Sequence, residues 1–432
     1  MPDGWAWARL GNIGEIITGG TPSKSHHEYY GNAFPFFKPA DLDQGRKTII
    51  SSEYLSEKGK SCCRIIPKFS TAICCIGSIG KCGYLNVEGT TNQQINSVIP
   101  NIDSLYAYYY CSSDYFLEQF LSLASATTIA IVNKSKMESV LIPVPPMVEQ
   151  KRIANTLDTA LGLIETLEVE KSDIIIAINN VKSKILDLAI RGKLVPQDPN
   201  DEPASVLLER IRAEKEELSK QGKIKRDKKE SVIFKGDDNS YYLKMGNVTE
   251  TLDDWSIEDI PDSWCVCCLG EVCDYGNCTN VDTKDISETA WILDLEDIEK
   301  GTGKVLQKLT LKERNSASTK HLFHKGQVLY SKLRPYLNKV VLADDDGFCT
   351  SEILPLDFNG YILPEYAKCY MMSPTFLRYA NHCSYGVKMP RLGTLDGKKA
   401  VLTVPPINEQ KRIADKVSQL FSLLDSIAEN VN

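Results

Sequence analysis

Cysteine is the residue type in this chain most capable of chemistry, because fourteen are present and five of them are clustered. Thiolates at regular spacing bind zinc, and exposed thiolates act as nucleophiles. The cluster lacks the paired C-x-x-C spacing of a zinc site, and no histidine follows at ligand distance. We therefore favour structural cysteines over metal ligands at Cys265, Cys267, Cys268, Cys273 and Cys278.

Motifs that would hold a cofactor are also missing from the sequence. The glycine–lysine segments 77–82 and 301–304 have the wrong spacing for a phosphate-binding loop. Dinucleotide, zinc-protease and serine-hydrolase motifs do not occur, nor does the Asn/Asp-Pro-Pro-aromatic motif of adenine methyltransferases. Five histidines leave few candidates for acid–base catalysis. The sequence predicts a binding protein without catalytic residues, cofactor or metal.

The composition is that of a globular protein, with 42% hydrophobic and 25% charged residues. No signal peptide follows Met1, and the most apolar helical run, Ile174–Ile178, is too short to cross a bilayer. We expect a cytoplasmic protein. The net charge of −7 argues against a stand-alone DNA binder, unless basic residues cluster on one face or a partner supplies positive charge.

An internal repeat divides the chain in two. The segment Val144–Ala154 recurs as Val404–Ala414, with nine of eleven positions identical at an offset of 260. The beginning of the unit also repeats, since Pro-Asp-Gly-Trp at 2–5 matches Pro-Asp-Ser-Trp at 261–264. Between these anchors, residues 12–140 and 271–400 diverge. The two repeats are similar at their ends and different in their central segments, which indicates one scaffold that carries two different recognition surfaces.

A helix is predicted after each Pro-Pro pair, because proline is tolerated in the first helical turn. Apolar residues then alternate in steps of four and three, which is typical of a coiled coil. Two amphipathic helices packed on their own domains are the alternative. Lys171 is the one charged seam residue. The pairing residues we predict are Ile153, Leu157, Ile164, Leu167, Ile413, Val417, Leu420, Leu424 and Ile427.

A polar segment joins the two repeats. It contains a predicted charged helix over 203–221, with Asp201 or Glu202 near its cap, and a basic run over 220–229 that we interpret as a solvated linker rather than a DNA contact. The resulting domain organisation has five parts: a first domain 1–146, a long helix 147–192, a linker 193–260, a second domain 261–403 and a second helix 404–432.

Several further segments of the chain form an ordered set of motifs. Besides the two Pro-Pro-x-x-Glu-Gln-Lys-Arg-Ile-Ala boxes, these are Trp7–Ile13, Thr18–Ser23, Phe34–Leu42, Thr91–Asn96, Ile185–Asp198, Asp201–Ala204 and Leu208–Arg212. Together they resemble the DNA-specificity subunits of type I restriction–modification systems. In the second copy, residues 276–280 depart from the Gly-Gly-Thr-Pro pattern of the first.

The resemblance implies an α+β fold, in which two mixed α/β target recognition domains form a pseudo-twofold repeat, separated by two long helices in an antiparallel coiled coil. Each domain would read one half of a bipartite double-stranded DNA site. DNA methyltransferase subunits, in two copies, would dock on the helices and methylate adenine, and restriction/translocase subunits would cleave. Enclosure of the DNA by several subunits would account for the acidic net charge.

For DNA binding we expect polar side chains to reach base edges, while basic side chains hold phosphates. Each candidate could equally be an ordinary surface charge, and Asn92, Gln93 and Gln94 could form a buried turn. The candidates in the first copy are Thr21, Ser23, Lys24, Lys38, Arg46, Lys47, Asn92, Gln93 and Gln94, and those in the second are Ser331, Lys332, Arg334, Lys388 and Arg391.

Two other functional classes stay open from the sequence. One is a coiled-coil scaffold with two protein-binding heads, which binding to DNA with and without methyltransferase subunits would distinguish. The other is a divergent stand-alone methyltransferase or nuclease, which activity of the purified chain alone would support.

Overall fold

The computed structural model describes residues 1–125, 130–222, 231–236, 238, 240–245, 248–252 and 260–431. Most of the predicted basic run lies outside these residues. The chain divides into two compact units, residues 1–169 and 170–432. Within the described residues, no helix combines the length and the apolar character that crossing a membrane requires.

Unit one is an α+β domain followed by the first part of a long helix. The elements are β1 Ala6–Arg9, β2 Gly14–Thr18, β3 Tyr30–Phe37, β4 Glu53–Leu55, α1 Glu57–Ser61, β5 Thr71–Cys74, β6 Cys82–Tyr84, β7 Thr90–Thr91, β8 Ile95–Pro100, α2 Ser104–Cys111, α3 Asp114–Ser122, α4 Lys134–Glu138, β9 Leu141–Val144 and α5 Met147–Ile190. The sheets have the strand orders β2-β8-β5-β6, β4-β3-β7 and β1-β9.

The helices of unit one begin at side-chain caps. Asp103, Ser113 and Asn133 each accept a hydrogen bond from a backbone N–H in the first turn of α2, α3 and α4. Such caps satisfy donors that have no partner inside the helix. Helices α2 and α3 carry aromatic residues, including Phe116 and Phe120, into the core of the unit.

Unit two contains the last part of α5, a connecting segment and a second α+β domain. The elements are α6 Ala204–Lys220, β10 Ser231–Lys235, β11 Tyr241–Met245, β12 Val248–Thr251, β13 Cys265–Cys268, α7 Leu269–Val272, β14 Asn280–Val281, β15 Trp291–Leu293, β16 Leu309–Thr310, α8 Leu311–Arg314, β17 Lys320–Phe323, β18 Val328–Ser331, β19 Val340–Leu342, β20 Gly347–Thr350, β21 Ile353–Leu356, α9 Pro364–Met372, α10 Pro374–His382, β22 Ser384–Tyr385, β23 Arg391–Leu392, α11 Thr394–Lys399, β24 Val401–Val404 and α12 Ile407–Val431. The sheets have the strand orders β14-β17-β20-β15-β16, β19-β18-β21, β10-β11-β12, β13-β24 and β22-β23.

The internal repeat is present in the backbone. In unit one, β1 pairs with β9 so that Ala6 faces Val144. In unit two, β13 pairs with β24 so that Cys265 faces Val404, which is the same register. Each ribbon leads directly into a long helix after a Pro-Pro pair. The predicted fold class, two mixed α/β domains in a repeat with long helices, is confirmed.

The last turns of α5 and the beginning of α12 pack against each other within unit two, in opposite directions. Thr403, just before α12, donates to the carbonyl of Ile190 at 2.8 Å. Further along α12, Asp425 forms an ion pair with Lys182. Ile413 and Val417 are buried in the same core as the last two turns of α5. The helices therefore run antiparallel here.

The predicted seam is only partly buried. Leu420 and Leu424 pack at the edge of the unit-two core and Ile427 is exposed, while Ile153 packs on the core of unit one. Helix α12, at 25 residues, is about 38 Å long and α5, at 44 residues, about 66 Å. Helix α5 contacts α12 within residues 182–190. Leu157, Ile164 and Leu167 are 40%, 50% and 62% exposed, so pairing through them stays a prediction.

Candidate nucleic-acid interface

The repeated box joins each domain to its helix through the same hydrogen bonds. In unit one, the Trp5 indole donates to Glu149 at 3.1 Å. Gln150, which is buried, accepts from the backbone N–H of Asp103 at 2.9 Å and donates to the carbonyl of Pro145 at 2.7 Å. The glutamine thereby ties the beginning of α2 to the beginning of α5.

Unit two repeats this junction. Trp264 donates to Glu409 at 2.9 Å, and Gln410 accepts from the N–H of Leu363 at 2.8 Å and donates to the carbonyl of Pro405 at 3.0 Å. Burial raises the pKa of Glu409, although the bonds from Trp264 and Gln197 favour its ionised form. The box is therefore a structural junction. The repeat was evident in the sequence, but this role of its Trp, Glu and Gln side chains was not.

Substitution of the junction glutamine should cost stability. We expect Gln150→Ala to lower the free energy of unfolding of unit one by about 2 kcal/mol, because one buried and one partly buried hydrogen bond are lost and the N–H of Asp103 is left without its partner. Lys151→Ala, at the exposed neighbouring position, is the matched control. Urea denaturation followed by circular dichroism measures both, and equal stability of the two variants would contradict the assignment.

The glycine-rich loop of unit one lies beside the segment 92–94. Thr21 donates from its hydroxyl to the Gln93 side chain, and both residues are exposed. A Cβ atom at Gly19 would lie 2.2 Å from the carbonyl oxygen of Asn92, so only glycine permits this approach. Asn92 is buried and its amide donates to Gln94 at 2.9 Å. The structure thus brings Thr21 and Gln93 together at the surface and turns Asn92 inward.

The other polar candidates of the loop lie at the surface. Ser23 and Lys24 are both exposed, and the Ser23 hydroxyl lies 2.7 Å from that of Ser25. Together with Thr21 and Gln93 they give unit one a small polar patch. Direct contact of these side chains with DNA stays a prediction.

The remaining basic candidates of unit one are held by carboxylates. Lys38 pairs with Glu53 at 2.6 Å. The Arg46 guanidinium contacts Asp158 and Glu165 of α5, each at 2.8 Å, and is only 14% exposed. Lys47 also reaches Glu165, at 2.6 Å, and the bonds from Lys47 and Arg46 lower the pKa of that carboxyl.

These ion pairs give Arg46 intramolecular contacts that the sequence did not predict. Its two carboxylate partners are more than 100 residues away in the chain, on the helix. Charge-assisted bonds of this kind fix the orientation of the largely buried Arg46 side chain against its partly exposed carboxylate partners. A role for Arg46, Lys38 or Lys47 in DNA binding stays a prediction. Each of these side chains would first have to break its ion pair with a carboxylate.

In unit two, two distant candidate segments form one surface. The backbone N–H of Arg334 donates to the carbonyl of Pro390 at 2.7 Å, and that of Leu392 donates to the carbonyl of Lys332 at 3.0 Å. Arg391 forms an ion pair with Glu352 at 2.9 Å. The turn 331–338 and the hairpin 384–392 are therefore joined, and we call them together the unit-two basic edge.

The exposed side chains of the unit-two basic edge include both basic and apolar residues. Lys388 is exposed at the hairpin tip, where Val387 is fully exposed, and Tyr336 lies at the surface of the turn. Arg334 adopts a left-handed backbone with φ of 51°, which is strained for a residue with a side chain. Its Nε is buried without a hydrogen-bond partner among the described residues. Ser331, by contrast, is buried and bonds the carbonyl of Leu333 at 2.9 Å.

The cysteine cluster lies in and around the core of unit two. Cys267, Cys268 and Cys273 are buried, and Cys265 and Cys278 are partly buried. Burial raises the pKa of Cys265 and Cys273, which disfavours the thiolate needed for nucleophilic chemistry. In the parts of the chain that the structure describes, no three His, Cys, Asp or Glu side chains are grouped as metal ligands.

Comparison with known proteins identifies the family. The model of the type I restriction modification DNA specificity domain matches residues 2–187 and 261–432, which covers both repeats and more than half of the chain. The chain belongs to this family. The two matched ranges correspond to the two halves of the internal repeat, so each half is one DNA specificity domain.

Curated relatives of this specificity-domain protein include specificity subunits of type I restriction enzymes. It is 27% identical over 308 residues to the EcoDI specificity subunit of Escherichia coli, which covers 71% of this chain and 60% of that protein. It is 21% identical over 450 residues to the EcoKI specificity subunit of Escherichia coli K12, covering all of this chain and 85% of the relative. The chain thus spans about three fifths of the EcoDI subunit.

A solved structure supports the fold of the specificity-domain protein. It comes from work on the structural basis underlying complex assembly and conformational transition of the type I R-M system. The TM-score is 0.60 at 14% identity, and the match covers all of this chain and 93% of the solved chain. At this identity the likeness establishes the fold.

Proposed function

We propose that the chain is the DNA-specificity subunit of a type I restriction–modification complex. Each of its two domains reads one half of a bipartite double-stranded DNA site, and partner subunits methylate adenine or cleave. The chain itself is a non-catalytic subunit.

The observation that carries this proposal is a duplicated scaffold with two unlike polar surfaces. Both domains are fastened to their helices by the same Trp, Glu and Gln bonds. Away from these junctions, however, unit one has Thr21 and Gln93 in contact, and unit two has the unit-two basic edge. Two different surfaces on one repeated frame suit two different half-sites, because base-edge readout depends on the individual side chains presented.

Partner subunits would supply the positive charge for DNA binding that this acidic chain does not provide. The net charge is −7, and among the described residues of unit one the candidate cations Lys38, Arg46 and Lys47 are all in ion pairs, which leaves few candidate cations of this unit for phosphates. We infer that two methyltransferase subunits, and restriction subunits where present, provide much of the positive surface around the DNA. The exposed apolar part of α5, including Leu163 and Leu167, offers them a docking surface.

The proposal is tested by expressing the chain with its cognate methyltransferase subunits in a host free of adenine methylation. Single-molecule sequencing should then show one methylated motif with two specific parts and a fixed gap. Omission of the chain should abolish methylation, and the purified chain alone should turn over neither S-adenosylmethionine nor DNA. Methylation by the chain alone, or a motif without a gap, would reject the proposal.

Removal of positive charge from the unit-two basic edge should weaken DNA binding. We expect Lys388→Ala and Lys332→Ala each to lower the affinity of the assembled complex and to reduce the slope of log K against log salt by about one, as for one lost phosphate contact. Lys312→Ala is the control, since Lys312 is an exposed lysine outside the edge. Fluorescence anisotropy at several salt concentrations measures this. An unchanged slope in both edge variants would show that neither Lys388 nor Lys332 contacts DNA phosphates.

A further inference from the structure

The turn 331–338 of unit two has a counterpart in unit one with the same pattern of backbone hydrogen bonds. In each unit, three bonds from an N–H to a carbonyl hold the turn against the segments beside it. They join Arg334 to Pro390, Leu392 to Lys332 and Lys332 to Glu352 in unit two, and Gly77 to Ala130, Val132 to Cys75 and Cys75 to Gln94 in unit one. This correspondence makes Gly77 the counterpart of Arg334.

Both turns have a left-handed backbone at this position. The φ angle is +80° at Gly77 and +51° at Arg334. Glycine adopts this conformation freely, whereas a residue with a Cβ atom adopts it at a cost in free energy, asparagine being among the more tolerant. Asn338 is also left-handed, and its side chain donates to the carbonyl of Met372 at 3.0 Å. Arg334 therefore occupies a position that the fold itself suits to glycine.

The side chain of Arg334 has no bond that offsets this strain. Its Nε is buried without a hydrogen bond, and among the described residues its guanidinium has no ion-pair partner. The carboxylate of Glu352, at the same edge, is already bound by the Arg391 guanidinium, at 3.0 and 2.9 Å. A strained residue whose buried donor is unsatisfied indicates a function rather than a contribution to stability.

The chemistry of the missing partner follows from the guanidinium. A phosphate requires little more than a flexible positive charge, which the exposed Lys388 supplies at the hairpin tip. A planar guanidinium whose Nε is packed against the protein suits instead a ligand that presents two acceptors in one plane. Among the base edges of the major groove, guanine presents such a pair, N7 and O6.

We propose that Arg334 reads a guanine in the half-site that unit two recognises. Its terminal N–H groups donate to O6 and N7 of that base in the major groove. Unit one has no side chain at the equivalent Gly77, so this turn discriminates between bases in one domain and not in the other. This role of Arg334 rests on the proposed function, because it requires that unit two bind DNA.

The test uses the full chain assembled with its cognate methyltransferase subunits. Single-molecule sequencing gives the methylated motif of the wild type, of Arg334→Gly and of Arg334→Lys. We expect both variants to accept other base pairs at one G·C position of one half-site, with discrimination in methylation rate falling about ten- to a hundredfold there. The other half-site should not change. Arg210→Ala, at an exposed arginine of α6, is the control and should keep the full motif.

Two further measurements separate base reading from a phosphate contact and from a structural role. Fluorescence anisotropy at several salt concentrations should give Arg334→Lys the salt dependence of the wild type, because the positive charge is kept. Arg334→Gly should keep the melting temperature of the wild-type chain, because glycine adopts the left-handed backbone without strain.

The outcomes for the two variants and for the wild type are distinct. A full motif in Arg334→Gly, or full discrimination in Arg334→Lys, would overturn the guanine assignment and leave the proposed function intact. Equal loss of affinity for every DNA sequence in Arg334→Gly would also overturn it, in favour of a phosphate contact, and a lower melting temperature would make the arginine structural. A wild-type complex without a bipartite motif would refute the proposed function itself, and the role of Arg334 with it.

Discussion

Exchange of residues 12–140 for the matching segment of another specificity-domain protein should replace one half of the methylated motif and leave the other half unchanged. The exchanged segment contains β2 to β8 and α1 to α4, including the contact between Thr21 and Gln93. The ribbon β1–β9 and helix α5 stay in place with the Trp5–Glu149 bond. We expect a complete change of one half-site, measured by single-molecule mapping of N6-methyladenine.

Two contacts decide whether the hybrid folds. Leu10, Ile142 and Ala154 lie outside the segment but pack in the core with residues inside it, so the incoming segment needs similar apolar side chains there. Asp158 and Glu165 also need a basic partner in place of Arg46. The reciprocal exchange of residues 271–400 is the control and should change only the other half-site. If either hybrid altered both halves or neither, independent reading by the two domains would be refuted.

Insertion of four residues beside Lys171 should lengthen the unspecified gap of the motif while preserving the bases read at each end. Lys171 lies next to the boundary between the two units along α5, which is continuous from 147 to 190. Four residues add about 6 Å and turn the helix about 40° beyond a full revolution. Since one base pair advances DNA by roughly 3.4 Å, the gap should grow by up to about two base pairs.

A two-residue insertion at the same position is the matched control. It rotates the part of α5 before the insertion by about 200° relative to the part after it. The packing of residues 182–190 on α12 is kept, because these residues lie beyond the insertion. We expect this variant to lose methylation, although its stability measured by denaturation stays close to that of the wild type. An active four-residue variant with an unchanged gap would show that α5 does not set the spacing.

The sequence by itself determined the features that depend on neighbours along the chain. The repeat was visible in the two boxes, and both Pro-Pro pairs precede a helix as predicted. Gly192, just after the end of α5, has the left-handed backbone that glycine commonly adopts at a helix end. These features depend on backbone sterics and on local hydrophobic spacing, which a single segment encodes without reference to the rest of the fold.

Only the tertiary structure decided which distant side chains meet. Asp201, predicted near the cap of α6, instead pairs with Arg412, 211 residues away, and the cap position is Pro203 without a side-chain bond. Arg46, predicted at DNA, lies against Glu165. Lys332 and Arg391 are brought to one edge by β18 and the β22–β23 hairpin. The charge and size of a residue suit it to several possible partners. Which partner it contacts depends on how distant segments of the chain are connected and packed, and local sequence spacing does not encode this.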